Sequence, residues 1–120
     1  MITDRELLEL AARAAGYAVD WREWVRSHVA EFATVKHVKC AGFWLDGEEW
    51  NPLTDDGDAL RLAVYLEFEI DITSTGVAVR TRCGLKVLVN KTEEPDLCAA
   101  ARLAITRAAA EIGRQMEVTT

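Results

Sequence analysis

Apolar positions along the chain change period several times, and each change marks an element. Thr3 and Glu6 have the spacing of a capping box ahead of Leu7, Leu8, Leu10 and Ala11, which predicts a helix over Asp4–Ala15 with Gly16 as its stop. The next stretch, residues 20–33, is ambiguous. Asp20 has a capping side chain, and Trp21, Trp24, Val25, Val29 and Phe32 recur at helical spacing, which predicts a second helix. From Thr34 the pattern Val35, His37, Cys40 and Phe43-Trp44-Leu45 favours extended chain. Asp46-Gly47 is a hairpin turn signal, and Glu48-Glu49-Trp50 returns as a short strand.

Asn51-Pro52-Leu53 breaks that strand, and Thr54 is placed to cap a helix whose first turn holds Asp55, Asp56 and Asp58. Leu60 and Val64, with Ala63 and Leu66, supply its expected apolar stripe, and it ends near Tyr65 or Leu66. Period-two alternation then takes over. Phe68, Ile70 and Ile72 alternate with Glu67, Glu69 and Asp71; after a turn at Thr73–Thr75, Val77 and Val79 alternate with Arg80 and Arg82; after Cys83-Gly84, Leu85, Val87 and Val89 alternate with Lys86 and Asn90. Pairing Ile72 with Val77 sets Glu69 against Arg80 and Glu67 against Arg82, so opposite charges meet on one face and apolar residues share the other. Pro95 and Asp96 open a last helix, striped by Leu97, Ala101, Ala104, Ile105, Ala108 and Ile112, with Gly113 as its expected stop. The predicted fold is α+β: an antiparallel sheet containing a three-strand meander, layered with helices in an α/β/α sandwich-like arrangement. Residues 1–113 form one domain and residues 114–120 a loose tail.

Composition narrows the class. In 120 residues, half are apolar, which is too many for a disordered chain. No apolar run approaches the roughly 20 residues that cross a bilayer. The opening Met1–Glu6 is charged and polar, with no signal-peptide core, and three cysteines fit reduced thiols; both point to the cytoplasm. The net charge of −6 is unevenly spread. Between Asp46 and Asp71 nine acids meet one base, Arg61, for a segment net of −8, while the rest of the chain, with 11 acids and 13 bases, carries +2. This balance argues against general nucleic-acid binding. The acidic stretch is either solvated helix start and loop, or a surface for a basic partner.

No pattern carries catalytic chemistry. Asp55, Asp56 and Asp58 around Gly57 lack the spacing of a calcium loop and read as helix-capping acids. His37 and Cys40 have a spacing that zinc uses, with Cys83 and Cys98 as remote partners, but no second tight pair accompanies them. His28 and His37 stand outside any nucleophile motif, and the glycines are too scattered for a phosphate loop. No metal, cofactor or catalytic residue is therefore expected.

The run Trp50-Asn51-Pro52-Leu53-Thr54-Asp55-Asp56-Gly57-Asp58-Ala59-Leu60-Arg61-Leu62-Ala63 resembles the central signature of the phage ABA-sandwich domain family of small phage and prophage proteins. Asp4–Ala12 is similar to that family's first helix, and Pro95–Arg102 through Ala108–Gly113 to its last; Val19–Cys40 departs from it. The resemblance implies helix and sheet layers and a phage or prophage origin, with no activity, cofactor or catalytic residue to carry over. Trp21 and Trp24 fall in the divergent segment and are candidate partner contacts, as are Asp46, Glu48 and Glu49 in the acidic stretch. The expected function is a non-enzymatic, protein-binding accessory module in the bacterial cytoplasm, contacting a host or phage protein. Alternatives are an acidic nucleic-acid mimic, a small-ligand binder or enzyme with a pocket between sheet and helix, and a two-fold homodimer.

Overall fold

The structure, a computed structural model, describes residues 2–29 and 35–118. Helix α1 (Asp4–Ala15) leads into an antiparallel sheet of β1 (Asp20–Val29), β2 (Val35–Leu45) and β3 (Glu48–Trp50), paired in that order. Helix α2 (Asp56–Tyr65) follows, then a second antiparallel sheet of β4 (Glu69–Thr73), β5 (Gly76–Arg80) and β6 (Lys86–Asn90). A single 3-10 turn, Lys91–Glu93, joins it to the long helix α3 (Leu97–Val118). The fold is α+β and layered, with two separate three-stranded sheets.

The helix ends follow from local chemistry. Thr3 Oγ1 accepts the Glu6 N–H at 3.2 Å, and Gly16 closes α1 in the left-handed region at φ 73°. Helix α2 starts one residue later than expected: Asp55, not Thr54, is its cap, accepting the Asp58 N–H at 2.8 Å. At α3 the Asp96 carboxylate accepts the Ala99 N–H at 2.7 Å. This helix does not stop at Gly113, and residues 114–118 are helical where a loose tail is expected; residues 119–120 lie outside the described part. Gly113 has a packing role instead. A Cβ there would overlap the Leu10 carbonyl of α1, so the missing side chain lets the two helices meet.

The core is built of small residues on helices and branched ones on strands. Ala11, Ala12 and Ala15 of α1 and Ala100, Ala104, Ala108 and Ala109 of α3 are fully or nearly fully buried, along with Val77, Val79 and Val89 of the meander. The meander has the predicted register: Ile72 pairs with Val77, Glu69 with Arg80, and Val77 in turn with Val89. Its valines face the helices, while Glu69, Asp71, Arg80, Lys86 and Leu88 stand exposed on the other side. Glu67 and Arg82, just beyond the paired strands, meet at 2.6 Å.

Two further expectations are corrected. The segment predicted as a second helix is strand β1, paired residue for residue with β2 from Asp20↔Trp44 to Val29↔Val35 (Phe32 lies outside the described residues). Trp21 and Trp24 therefore point to opposite faces of a ribbon, not to one face of a helix. In α2 the buried stripe is Ala59, Leu62 and Ala63, whereas Leu60 and Val64 are 59% and 68% exposed. Both stripes have helical spacing; the smaller side chains allow closer approach and take the inside.

Candidate binding surfaces

The β1–β2 ribbon leaves the body at its root. Trp21 packs edge-on against Phe43, with ring centroids 4.9 Å apart, and the Arg5 guanidinium of α1 lies 4.2 Å over the Trp21 ring. Phe43 belongs to the core, but the described residues from Arg22 to Gly42 contribute nothing to it. Ten paired residues extend about 33 Å at strand rise. The radius of gyration is accordingly 16.0 Å, against about 13.6 Å for a compact domain of this length, and the longest dimension is 53 Å.

One face of this arm carries Arg22, Trp24, Arg26, Val38, Cys40 and Trp44. Trp24 and Trp44 form an edge-to-face pair at 5.7 Å, with the Trp24 ring lying over Gly42, and Arg22 lies 5.2 Å over the Trp44 ring. The indole nitrogens of Trp44 and Trp21 are buried without a hydrogen-bond partner. The other face carries Val25, Ser27, His37 and Lys39, with Ser27 Oγ 2.7 Å from His37 Nδ1. Val25, Val35 and Val38 are exposed.

The five candidate contact residues therefore divide. Trp21 is held at the root of the arm by Phe43 and Arg5. Trp24 is half-buried on the arm, against Trp44. Asp46, Glu48 and Glu49 are exposed together on the β2–β3 hairpin, where Asp46 and Gly47 supply the left-handed turn at φ 52° and 83°. Trp24 and the Glu49 carboxylate both approach Gly42, so the structure brings these two together and separates them from Trp21.

Most of the acidic stretch is engaged within the fold. Asp55 caps α2. Asp58, almost fully buried, accepts the Asn51 N–H and an Arg61 N–H, each at 2.9 Å. That hydrogen bond from Arg61 to Asp58 raises the guanidinium's already high pKa. Asp56 pairs with Arg102, which also donates to the Leu53 carbonyl at 2.9 Å. Glu67 and Glu69 face Arg82 and Arg80. Of the nine acids, Asp46, Glu48, Glu49 and Asp71 remain without an ion pair among the described residues.

A surface that the sequence reading missed lies beside β4. Helix α2 (Asp56, Ala59, Leu60), helix α3 (Leu97, Cys98, Ala101, Arg102, Ile105) and Ile70 and Ile72 of β4 line an apolar groove of about 350 Å³. Strand β4 is an edge strand, and Ile72 is 58% exposed. The signal was present as the second apolar stripe of α2, Leu60 and Val64, which was assigned to the inside.

His37 and Cys40 point to opposite faces of β2, and Cys83 and Cys98 lie on separate elements. Among the described residues no three His, Cys, Asp or Glu side chains cluster as metal ligands. Cys83 is exposed. Its thiol pKa is lowered, chiefly by the Thr81 hydroxyl 3.1 Å away and then by a backbone hydrogen bond from Leu85. No helix among the described residues is long and apolar enough to cross a membrane. No family model, curated protein or solved structure matches the chain.

Proposed function

We propose that the chain is a phage or prophage accessory protein that acts by binding another protein in the bacterial cytoplasm, without catalysis. The observation that supports this reading is the β1–β2 arm. It stands off the core, exposes Val25, Val35 and Val38, and carries an aromatic and basic face of Trp24, Trp44, Arg22 and Arg26. Exposed apolar and aromatic groups on a projecting element suit protein contact, since Trp and Arg dominate the energetics of interfaces. An acidic nucleic-acid mimic finds less support, because five of the nine clustered acids are occupied by internal partners.

The test is capture of partners from host lysate with the natural chain and with a Trp24→Ala, Val38→Asp variant whose fold is confirmed by circular dichroism. Both positions lie outside the core, so folding is expected to survive. Loss of the captured protein is the expected result. Equal recovery by the folded variant would remove the arm from the contact.

A further inference from the structure

Among the unpaired strand edges of the described structure, two are complementary. The first is β4. It reads Glu69-Ile70-Asp71-Ile72: acids on the outer face, isoleucines over the apolar groove. The second is the outer edge of β2, because β3 pairs only with Phe43–Leu45 and leaves Val35–Gly42 open on that side. This edge reads His37-Val38-Lys39-Cys40: basic residues on one face, apolar ones on the other. We propose that the arm of one copy adds the free edge of β2 to β4 of a second copy. Lys39 then meets Asp71 and His37 meets Glu69, while Val38 and Cys40 enter the groove beside Ile70, Ile72 and Leu60. The inference rests on the arm being the contact element and names its partner.

Charge disfavours pairing either edge with its own copy. Joining β4 to β4 sets acids against acids, and joining β2 to β2 brings the Lys39 side chains of both copies to one face; like charges directly opposite are unfavourable. The edge of β1 fits less well, because its apolar Val25 shares a face with Glu23, which would enter the groove. Shape agrees. Helix α2 flanks β4 and leaves Leu60 and Val64 uncovered, as though the sheet were one strand narrower than its helical layer. The arm reaches away from its own body, so it meets the groove of another molecule. Unpaired edges with apolar residues are templates for strand addition. Because the two surfaces differ, the contact is head-to-tail and builds a ring or an open chain rather than a two-fold dimer.

Sedimentation of the purified full chain tests this. The natural chain is expected to associate with concentration beyond a dimer and to dissociate with added salt. Ile72→Lys damages only the groove and Val38→Lys only the arm; both positions are exposed, at 58% and 46%, so folding is retained. Each variant alone is expected to lose association by at least about tenfold. Mixed, they should form a 1:1 dimer and nothing larger, since one intact arm meets one intact groove. Lys39→Asp combined with Asp71→Lys should restore association that either change alone weakens. A natural chain that stays monomeric up to its solubility limit, or association indifferent to Ile72→Lys, overturns the proposal. Ile72→Lys leaves the arm intact, so lysate capture that survives it while depending on Trp24 and Val38 would sustain the function and reject the self-assembly.

Discussion

Cys83 sits in the loop between β5 and β6, where the Thr81 hydroxyl lies 3.1 Å from its sulfur and also accepts the Leu85 N–H at 3.1 Å. Hydrogen bonds to a thiolate favour the charged form, so the thiol ionises below the ordinary range. A depressed pKa contributes to folding above the unfolded pKa and loses that contribution as pH falls through the folded value. At this exposed site the visible consequence is reactivity. In a chain carrying Cys40→Ser and Cys98→Ser, the alkylation rate of Cys83 should rise at lower pH than that of a small-molecule thiol. Thr81→Val should move the midpoint back up. An unchanged midpoint in the variant would show that Thr81 does not set it. The sequence gives no hint of this: Thr81 and Cys83 are two residues apart, and only the turn through Gly84 folds one back on the other.

Elements were legible where one face is buried and one solvated. The meander is the clear case: acids and bases alternate with branched apolar residues, a one-residue slip would turn the apolar set to solvent, and the register follows. The arm shows the reverse. With both faces of β1 exposed, no hydropathy alternation marks it, and Trp21, Trp24 and Val25 imitate helical spacing. The groove was hidden for a related reason. Helix α2 is apolar over more than half its circumference, so period alone could not choose between Ala59, Leu62 and Ala63 and the Leu60 and Val64 stripe. Gly113 illustrates a third kind of ambiguity, in which a stop signal is a packing device. In a solvent-exposed helix, Gly→Ala adds about 1 kcal/mol of stability. Here the added methyl overlaps the Leu10 carbonyl, and such overpacking costs about 1–3 kcal/mol. Gly113→Ala is therefore expected to destabilise by up to about 2 kcal/mol, the opposite sign to the propensity rule. Chemical denaturation reads this directly, and a gain in stability would show that α1 and α3 do not touch at this point.

The whole molecule combines a body that closes its own core with an appendage that does not contribute to it. The described core draws on α1, α2, α3, the meander, Phe43 and Trp50, and the arm joins it through Trp21, Phe43 and Leu45 at its root. A domain under no demand beyond folding gains nothing from ordering the sixteen described residues from Arg22 to Gly42 outside the core, since each costs roughly 1–2 kcal/mol of backbone entropy. The arm's own stability must come from its ladder and the Trp24–Trp44 pair, which is marginal for a lone two-stranded ribbon in water. Two consequences follow for a chain in which Glu23–Ala41 is replaced by Asn-Gly, joining Arg22 to Gly42 through a tight turn. Its body should stay folded with a denaturation midpoint near that of the natural chain, because no core side chain is removed. Its radius of gyration, measured by small-angle scattering at low concentration, should fall from 16.0 Å toward the roughly 13 Å of a compact domain. Unfolding of the shortened chain would mean that the ribbon supports the body. A retained fold with an unchanged radius would mean that the ribbon does not extend in solution. If both expectations hold, the arm is dispensable to folding, as the proposed contact role requires.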